Sequence, residues 1–231
     1  MPKIRQYTGQ RFSTLHQEGH GLTRRLIILA LALLIAFLPS PTRAWSGSEL
    51  PPFDAFAEGI VNGESDDLRG IYVPDVLADK IVSQPDGEPA FISSHPNTLT
   101  VFGMASRYDS IGLLAHNTLA GADFSLLEQG QIIHLIYGDG RIESYGIKRF
   151  FSYQALQPQS ITSDFVDLET GELLSASKLF LKIFDRPGSL ILQTCIYADG
   201  DNSWGRLFII AEPLGSAYFW SMPNETGVRY Y

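Results

Sequence analysis

Short runs of apolar residues follow one another along the chain from residue 71 onward, and several of them alternate with polar positions. Such runs, rich in β-branched and aromatic residues and bounded by turn residues, are typical of strands. The sequence predicts strands at 71–76, 98–103, 110–116, 131–137, 141–148, 189–195 and 206–212. Residues 138–140 (GDG) separate two of them and predict a hairpin.

Helical patterns are scarce and short. A short helix fits residues 53–60, a single turn fits 121–130, and a loop with a short helix fits 160–178. Six or more short strands with so few helices favour a closed barrel or a sandwich, and we expect the barrel.

The amino end contains the longest apolar run of the chain. Residues 26–38 (LIILALALLIAFL) carry no charge, follow Arg24 and Arg25, and precede a Pro-rich segment that ends at Ala44. Thirteen residues suit the core of a signal peptide, whereas a spanning helix needs about 20. We therefore predict a signal peptide or a membrane anchor at 1–44, and both would export the rest of the chain.

The region after this segment reads as a spacer. Residues 45–70 are rich in Ser, Gly, Pro and acidic residues without a sustained period, so we expect a linker there. The predicted organisation is a signal or anchor at 1–44, a linker at 45–70 and a β-barrel domain at 71–231. The expected location is the extracellular face of the cell membrane or the medium.

Charge and cysteine content exclude several classes of protein. The chain has a net charge of −8, and the residues after 44 carry 11 basic and 24 acidic side chains. Nucleic-acid binders carry an excess of basic residues on their binding surface, so this excess of acidic residues argues against that class of protein. One cysteine excludes an internal disulfide framework and a Cys-rich metal site.

Three reactive side chains lie at the ends of predicted strands. His116 ends one strand, Cys195 ends another and Arg206 begins a third. A thiolate can attack an amide carbonyl, an imidazole can carry the proton to the leaving amine, and a guanidinium can neutralise the oxyanion. Each residue also has a plain structural interpretation: a small buried side chain, a surface histidine and a solvated arginine in a turn.

The segments around these residues resemble the sortases, the cysteine transpeptidases of bacterial cell surfaces. Residues 192–195 (LQTC) resemble the family's nucleophile motif, and 205–212 (GRLFIIAE) resemble the strand that follows it. Residues 113–117 (LLAHN) and 121–125 (GADFS), with a Gly before the next strand, resemble the histidine region. The order of His, Cys and Arg is also the family's order.

This resemblance implies a fold and a site. It implies an eight-stranded barrel in which Cys195 is the nucleophile, His116 the general acid and base, and Arg206 the oxyanion-stabilising or substrate-orienting group. Thr194 would line the substrate groove. The implied partners are surface proteins that bear a sorting signal, commonly of LPXTG type, and an amine acceptor on the cell wall or a pilin.

Two other functions and one metal site stay open at this point. The chain could be a noncatalytic barrel that binds at the cell surface, or a secreted thiol peptidase that passes the acyl group to water. We expect no cofactor. Calcium is the alternative, since Asp139, Asp199 and Asp201 lie in Gly-Asp turns, although turn chemistry explains these residues more simply. His95, His116 and His134 lack metal-ligand spacing, and we expect His134 to be structural.

Overall fold

The computed structural model describes residues 50–160 and 162–215. The predicted signal or anchor at 1–44, the start of the linker and the aromatic tail from residue 216 lie outside these residues, and those predictions stay predictions. No helix within the described ranges has the length and apolar character needed to cross a membrane.

Strands dominate the described residues, as the sequence predicts. The strands are β1 Leu68–Val73, β2 Leu77–Ser83, β3 Thr98–Val101, β4 Ile111–Leu114, β5 Ile132–Tyr137, β6 Ile142–Ala155, β7 Phe165–Asp167, β8 Leu173–Leu174, β9 Leu190–Ala198 and β10 Asp201–Pro213. The α-helices are α1 Phe53–Ile60 and α2 Ala176–Phe184, and two 3₁₀ helices span Ala105–Tyr108 and Ala120–Leu126.

Eight of these strands form a closed barrel. Their order is β10-β9-β4-β3-β2-β1-β5-β6, and pairing of β6 with β10 closes the ring, while β7 and β8 extend from β6. The β2–β3 and β4–β9 pairs are parallel, and the other pairs are antiparallel. The predicted all-β closed barrel with short helices is confirmed.

Several elements of the fold are not predicted from the sequence, among them the short strands β7 and β8. The sequence pattern does not predict strand β2, because Asp79 occupies an inward position between Leu77 and Ile81 and interrupts the apolar alternation. Helix α2 lies mostly beyond the residues in which a short helix is expected. Its buried face is formed by Leu179, Ile183 and Phe184.

The barrel sheet has an apolar layer on each face. The inner layer fills the barrel and includes Leu113, Leu192 and Ile209, all fully buried. The outer layer lies between the sheet and α2, where Ile191 and Phe208 pack in the same cluster as buried residues of the helix. Ser175 begins α2, and its hydroxyl accepts a hydrogen bond from the Lys178 N–H, which stabilises the helix start.

The described part of the predicted linker is folded on the barrel. Phe56 and Ile60 of α1 are buried in one cluster with Tyr72 of β1 and Ile136 of β5. A side chain at Gly70 would collide with Ile60, so this glycine permits the close approach of the helix. The short helix expected at 53–60 is confirmed, and β1 begins within the predicted linker.

Three tight hairpins join neighbouring strands of the barrel, and the first joins β1 to β2 through residues 74–76. The predicted β5–β6 hairpin is confirmed, and Gly140 has the positive φ, 86°, that its turn requires. The β9–β10 hairpin turns at Asp199 and Gly200, with φ of 52° and 82°, as expected for a two-residue turn of mirror-image type. Residues 199–205, expected as a loop, instead begin β10 at Asp201.

Candidate active site

The predicted nucleophile and the predicted arginine lie side by side on neighbouring strands. Cys195 of β9 and Arg206 of β10 are direct partners in the antiparallel register. Residues that face each other in this way have Cβ atoms about 4.5–5.5 Å apart on the same face of the sheet. Cys195 is a free thiol, and both residues are half-buried. The two chemical groups therefore share one part of the surface.

The predicted base follows the strand on the other side of β9. Leu114, at the end of β4, pairs with Gln193 in the parallel register. The Ala115 N–H donates to the Gln193 carbonyl at 3.1 Å, so this ladder continues past the strand end. His116 is the next residue, directly after this last ladder bond. The topology thus brings the three predicted residues to adjacent segments in the order His116, Cys195, Arg206.

Alternation along β9 and β10 places the thiol and the guanidinium on the outer face of the barrel. Ile191 of β9 and Phe208 of β10 belong to the outer apolar layer, whereas Leu192 belongs to the inner layer. Side chains two residues apart share a face of a strand. Cys195 and Arg206 are therefore on the outer side, where both are half-buried.

Thr194 differs from its expected role. Its side chain shares the inner face with Leu192 and is buried, with 4% of the residue exposed. Its hydroxyl donates to the Ala115 carbonyl at 2.9 Å. Because the pleat turns this residue away from Cys195, Thr194 ties β9 to the segment that carries His116 rather than lining an outer groove.

A tight corner holds the backbone of His116. Its carbonyl accepts hydrogen bonds from the N–H groups of Leu119 and Gly121, both at 3.0 Å. A Cβ added to Gly121 would lie 2.8 Å from the His116 carbonyl oxygen and would also collide with the Thr194 hydroxyl. Only glycine fits there, and its absent side chain lets the 3₁₀ helix Ala120–Leu126 pack against β9.

The guanidinium of Arg206 is held by backbone carbonyls. Its Nη1 donates to the carbonyl oxygens of Ser203 and Gly205, each at 2.9 Å, and Nη2 lies 3.5 Å from that of Pro158. Within the described ranges, no carboxylate lies within 4.0 Å of it. The fixed charge is thus oriented by neutral acceptors and is not neutralised by an acid in this part of the chain.

His134 is structural, as expected. Its Nδ1 lies 2.9 Å from the Ser144 hydroxyl, and its ring packs 5.2 Å from the Phe53 ring, centroid to centroid. Burial lowers its pKa below the ordinary value for histidine, because the charged form loses hydration. His134 is on the β1–β5–β6 side of the barrel and takes no part in the Cys195 site.

The described residues contain no group of three or more His, Cys, Asp or Glu side chains that could hold a metal ion. Two of the turn acids have backbone partners. Asp139 accepts from the Arg141 N–H and Asp201 from the Ser203 N–H. These contacts are typical of Asx turns, which gives the Gly-Asp segments a structural role. The expected lack of a cofactor, and calcium as its alternative, stay predictions.

Asn117 and the backbone of Pro158 are the site contacts that the sequence does not reveal. Asn117 belongs to the LLAHN segment, and its side-chain amide donates a hydrogen bond to the Asn202 carbonyl of β10. Nothing in the sequence indicates this contact. Pro158 lies in the segment between β6 and β7, and its distance from Arg206 along the chain hides the contact. Both depend on the pairing of strands distant in sequence.

Comparison with known proteins gives structural similarity only. No family model matches the chain, and no curated protein matches it. Similar solved structures are sortases. Sortase C-1 from Actinomyces oris is 13% identical, with 84% of this chain and 98% of that chain covered and a TM-score of 0.44.

Two further sortase structures are similar over a smaller share of this chain. A lid mutant of sortase A from Corynebacterium diphtheriae is 12% identical, with 72% and 77% covered and a TM-score of 0.43. Clostridium perfringens sortase C with the C-terminal cell wall sorting motif is 16% identical, with 70% and 82% covered and a TM-score of 0.39. The fold class of this chain rests on its own strand order, given above.

Proposed function

We propose that this chain is an exported cysteine transpeptidase of sortase type. The observation that supports the proposal is the register of three neighbouring segments. Cys195 and Arg206 are direct partners across β9 and β10, and His116 directly follows the last bond of the β4–β9 ladder on the other side. A thiol with an imidazole and a guanidinium on the neighbouring segments suits acyl transfer through a thioester.

The proposed first half-reaction forms an acyl-enzyme. The Cys195 thiolate attacks the carbonyl carbon of the scissile peptide bond, and the carbonyl electron pair moves onto oxygen. Arg206 stabilises this oxyanion or orients the adjacent peptide backbone. The C–N bond then breaks, the oxyanion collapses to a thioester, and the His116 imidazolium gives its proton to the leaving amine.

The proposed second half-reaction releases the acyl group. His116 accepts a proton from an incoming amine, which attacks the thioester carbonyl. The C–S bond breaks, a new amide forms, and Cys195 leaves as the thiolate. Water in place of the amine gives hydrolysis, so the acceptor decides between a transpeptidase and a peptidase.

The proposed substrates are surface proteins that bear a sorting signal of LPXTG type. The proposed acceptor is an amine on the cell wall or on a pilin, and the proposed location is the outer face of the membrane. The sequence resemblance around His116, Cys195 and Arg206 is what supports these finer points, together with the apolar run at 26–38. A site on the outer face of the barrel sheet suits a large, extended substrate. The predicted export signal would bring this barrel to the cell surface.

The proposal is tested with the full chain and a panel of LPXTG-type peptides. Intact mass should show a covalent acyl adduct on Cys195, and an added amine should divert product from free acid to amide. Cys195→Ala should lose the adduct while its circular dichroism and melting temperature stay as in the unmodified chain. Turnover that survives Cys195→Ala would contradict the assignment of the nucleophile. A wild-type chain that never forms an adduct favours the noncatalytic barrel.

A further inference from the structure

The start of β10 contains a wide bulge directly before Arg206. Asp201 pairs with Ala198 and Gly205 pairs with Ile196, so residues 202–204 oppose Tyr197 alone. Extra residues in a bulge lose their partners in the strand ladder, and their backbone groups need other ones. The shape of this bulge therefore depends on side chains.

Three side chains supply these partners, and two of them come from opposite sides of the site. Arg206 donates to the carbonyls of Ser203 and Gly205, and Asn117 Nδ2 donates to the Asn202 carbonyl at 2.9 Å. The Asp201 carboxylate accepts from the Ser203 N–H at 2.7 Å. The bulge is thus held by Asn117 from the β4 side and by Arg206 from its own strand.

The Asn117 contact spans the strand that bears the nucleophile. In the sheet, β9 lies between β4 and β10, so a bond from the segment after β4 to Asn202 of β10 crosses the end of β9. His116 precedes Asn117, and Arg206 is fastened to the bulge that Asn117 holds. This single hydrogen bond therefore links the segment of the predicted base to the segment that orients the arginine.

We infer that Asn117 is a positioning residue that fixes the Arg206 guanidinium by holding the bulge at 202–204. The inference rests on the proposed function of the same site. Loss of the Nδ2 donor frees the Asn202 carbonyl, and the Ser203 carbonyl, one of the two acceptors of the guanidinium Nη1, moves with the bulge. The backbone of β9 that carries the thiol and the corner that holds the His116 backbone keep their own hydrogen bonds.

The test compares two reactions of the full chain in the Asn117→Ala variant. Cleavage of the LPXTG-type peptide that the wild-type chain turns over fastest should slow about tenfold, since one lost hydrogen bond is worth about 1.4 kcal/mol. Alkylation of Cys195 by iodoacetamide, which needs no guanidinium, should stay within about twofold. Thr118→Ala, a change at the exposed next residue, should leave both rates within about twofold.

A double-mutant cycle shows whether the effect passes through Arg206. In an Arg206→Lys background, Asn117→Ala should lower the rate of peptide cleavage less than about twofold, because the guanidinium that the bulge orients is already lost. Asn117→Asp keeps the side-chain shape without the amide donor and repeats the test if the alanine variant folds poorly. The inference would be overturned if the losses in cleavage rate from the Asn117 and Arg206 changes were additive. It would also be overturned if alkylation of Cys195 slowed as much as cleavage, or if both Asn117 variants cleaved peptide at the wild-type rate.

Failure of the proposed function gives a different pattern. If iodoacetamide reacts with Cys195 at the same rate in the His116→Ala variant, the thiol has no base and both proposals fall. If that dependence on His116 holds and the Asn117 variants cleave peptide normally, the proposed function stands and only the positioning role of Asn117 is wrong.

Discussion

The two faces of the barrel sheet use polar residues differently at the same end of the molecule. On the outer face, Cys195 and Arg206 are half-buried and keep access to solvent. On the inner face, Asp79 and Thr194 are almost completely buried, with 4% of each residue exposed. Changes to polar residues on the outer face are therefore expected to alter catalytic activity, and changes to those on the inner face to alter the free energy of unfolding. Strand β9 supplies residues to both faces.

The inner face contains a group that costs stability. Among residues 50–160 and 162–215, the buried Asp79 Oδ2 atom has no hydrogen-bond partner. Burial, and to a smaller extent the nearby Asp123 carboxylate, raises the pKa of Asp79 to about 7. Nothing in the Cys195 site uses this carboxyl. Arg206 on the outer face differs, because its Nη1 and Nη2 atoms lie near backbone acceptors.

The largest expected effect falls on the outer face. Arg206→Lys should lower peptide turnover about a hundredfold, because a lysine is a point charge without the planar fork that two carbonyls now orient. Its melting temperature should stay within about 2 °C of the wild-type value. The control is Arg141→Lys in the other hairpin, where the guanidinium pairs with Glu143 and lies 3.6 Å from the Tyr137 ring centroid.

The control should leave peptide turnover within about twofold. Steady-state cleavage of one LPXTG-type peptide and thermal unfolding of all three proteins provide the data. Equal turnover by the Arg206 and Arg141 variants would remove the guanidinium on β10 from the mechanism. A large fall in melting temperature for Arg206→Lys would instead give that residue a structural role.

A smaller effect is expected on the inner face and depends on pH. The folded pKa of Asp79, about 7, lies above its ordinary value of about 3.9, so the folded state favours the protonated form. This contribution to stability is complete below about pH 4, declines as pH rises, and is lost above about pH 7. An amide does not ionise, so Asp79→Asn should gain stability relative to wild type by about 2–4 kcal/mol between pH 4 and pH 8.

Urea unfolding of both proteins at several pH values measures this difference directly. The slope with pH is the informative quantity, since a buried amide also has donors to satisfy and shifts the absolute values. Asp123→Asn is the matched control and should give a smaller change of the same sign. A difference between wild type and Asp79→Asn that is constant with pH would show that Asp79 ionises normally.

The sequence predicts the polar residues on the outer face of the barrel sheet better than those on the inner face. Apolar runs interrupted by turns are enough to predict the barrel. The predicted strand ends point to His116, Cys195 and Arg206, but Cys195 lies inside β9 and Arg206 inside β10, because the two strands extend into their hairpin. The register that aligns them is set by the parallel pairing of β4 with β9, which joins segments distant along the chain. No local pattern records that pairing.

Two inner-face features show the limit of sequence patterns. Strand β2 is missed because Asp79 occupies a core position, where a polar residue normally argues against a buried strand. The family resemblance predicts that Thr194 lines the substrate groove, and no local pattern indicates the inward bond from its hydroxyl to the Ala115 carbonyl. Both features concern polar side chains whose direction is decided by the fold and not by their neighbours in sequence.

The account depends most on the activation of the Cys195 thiol by His116, and its alkylation tests this directly. The rate of modification by iodoacetamide, followed by intact mass between pH 5 and pH 9, should fall at least tenfold at pH 7 in the full-chain His116→Ala variant. The His134→Ala variant, which changes the structural histidine, should retain the wild-type rate and pH profile. Identical profiles for wild type and His116→Ala would contradict a catalytic pair and leave a barrel with an ordinary thiol.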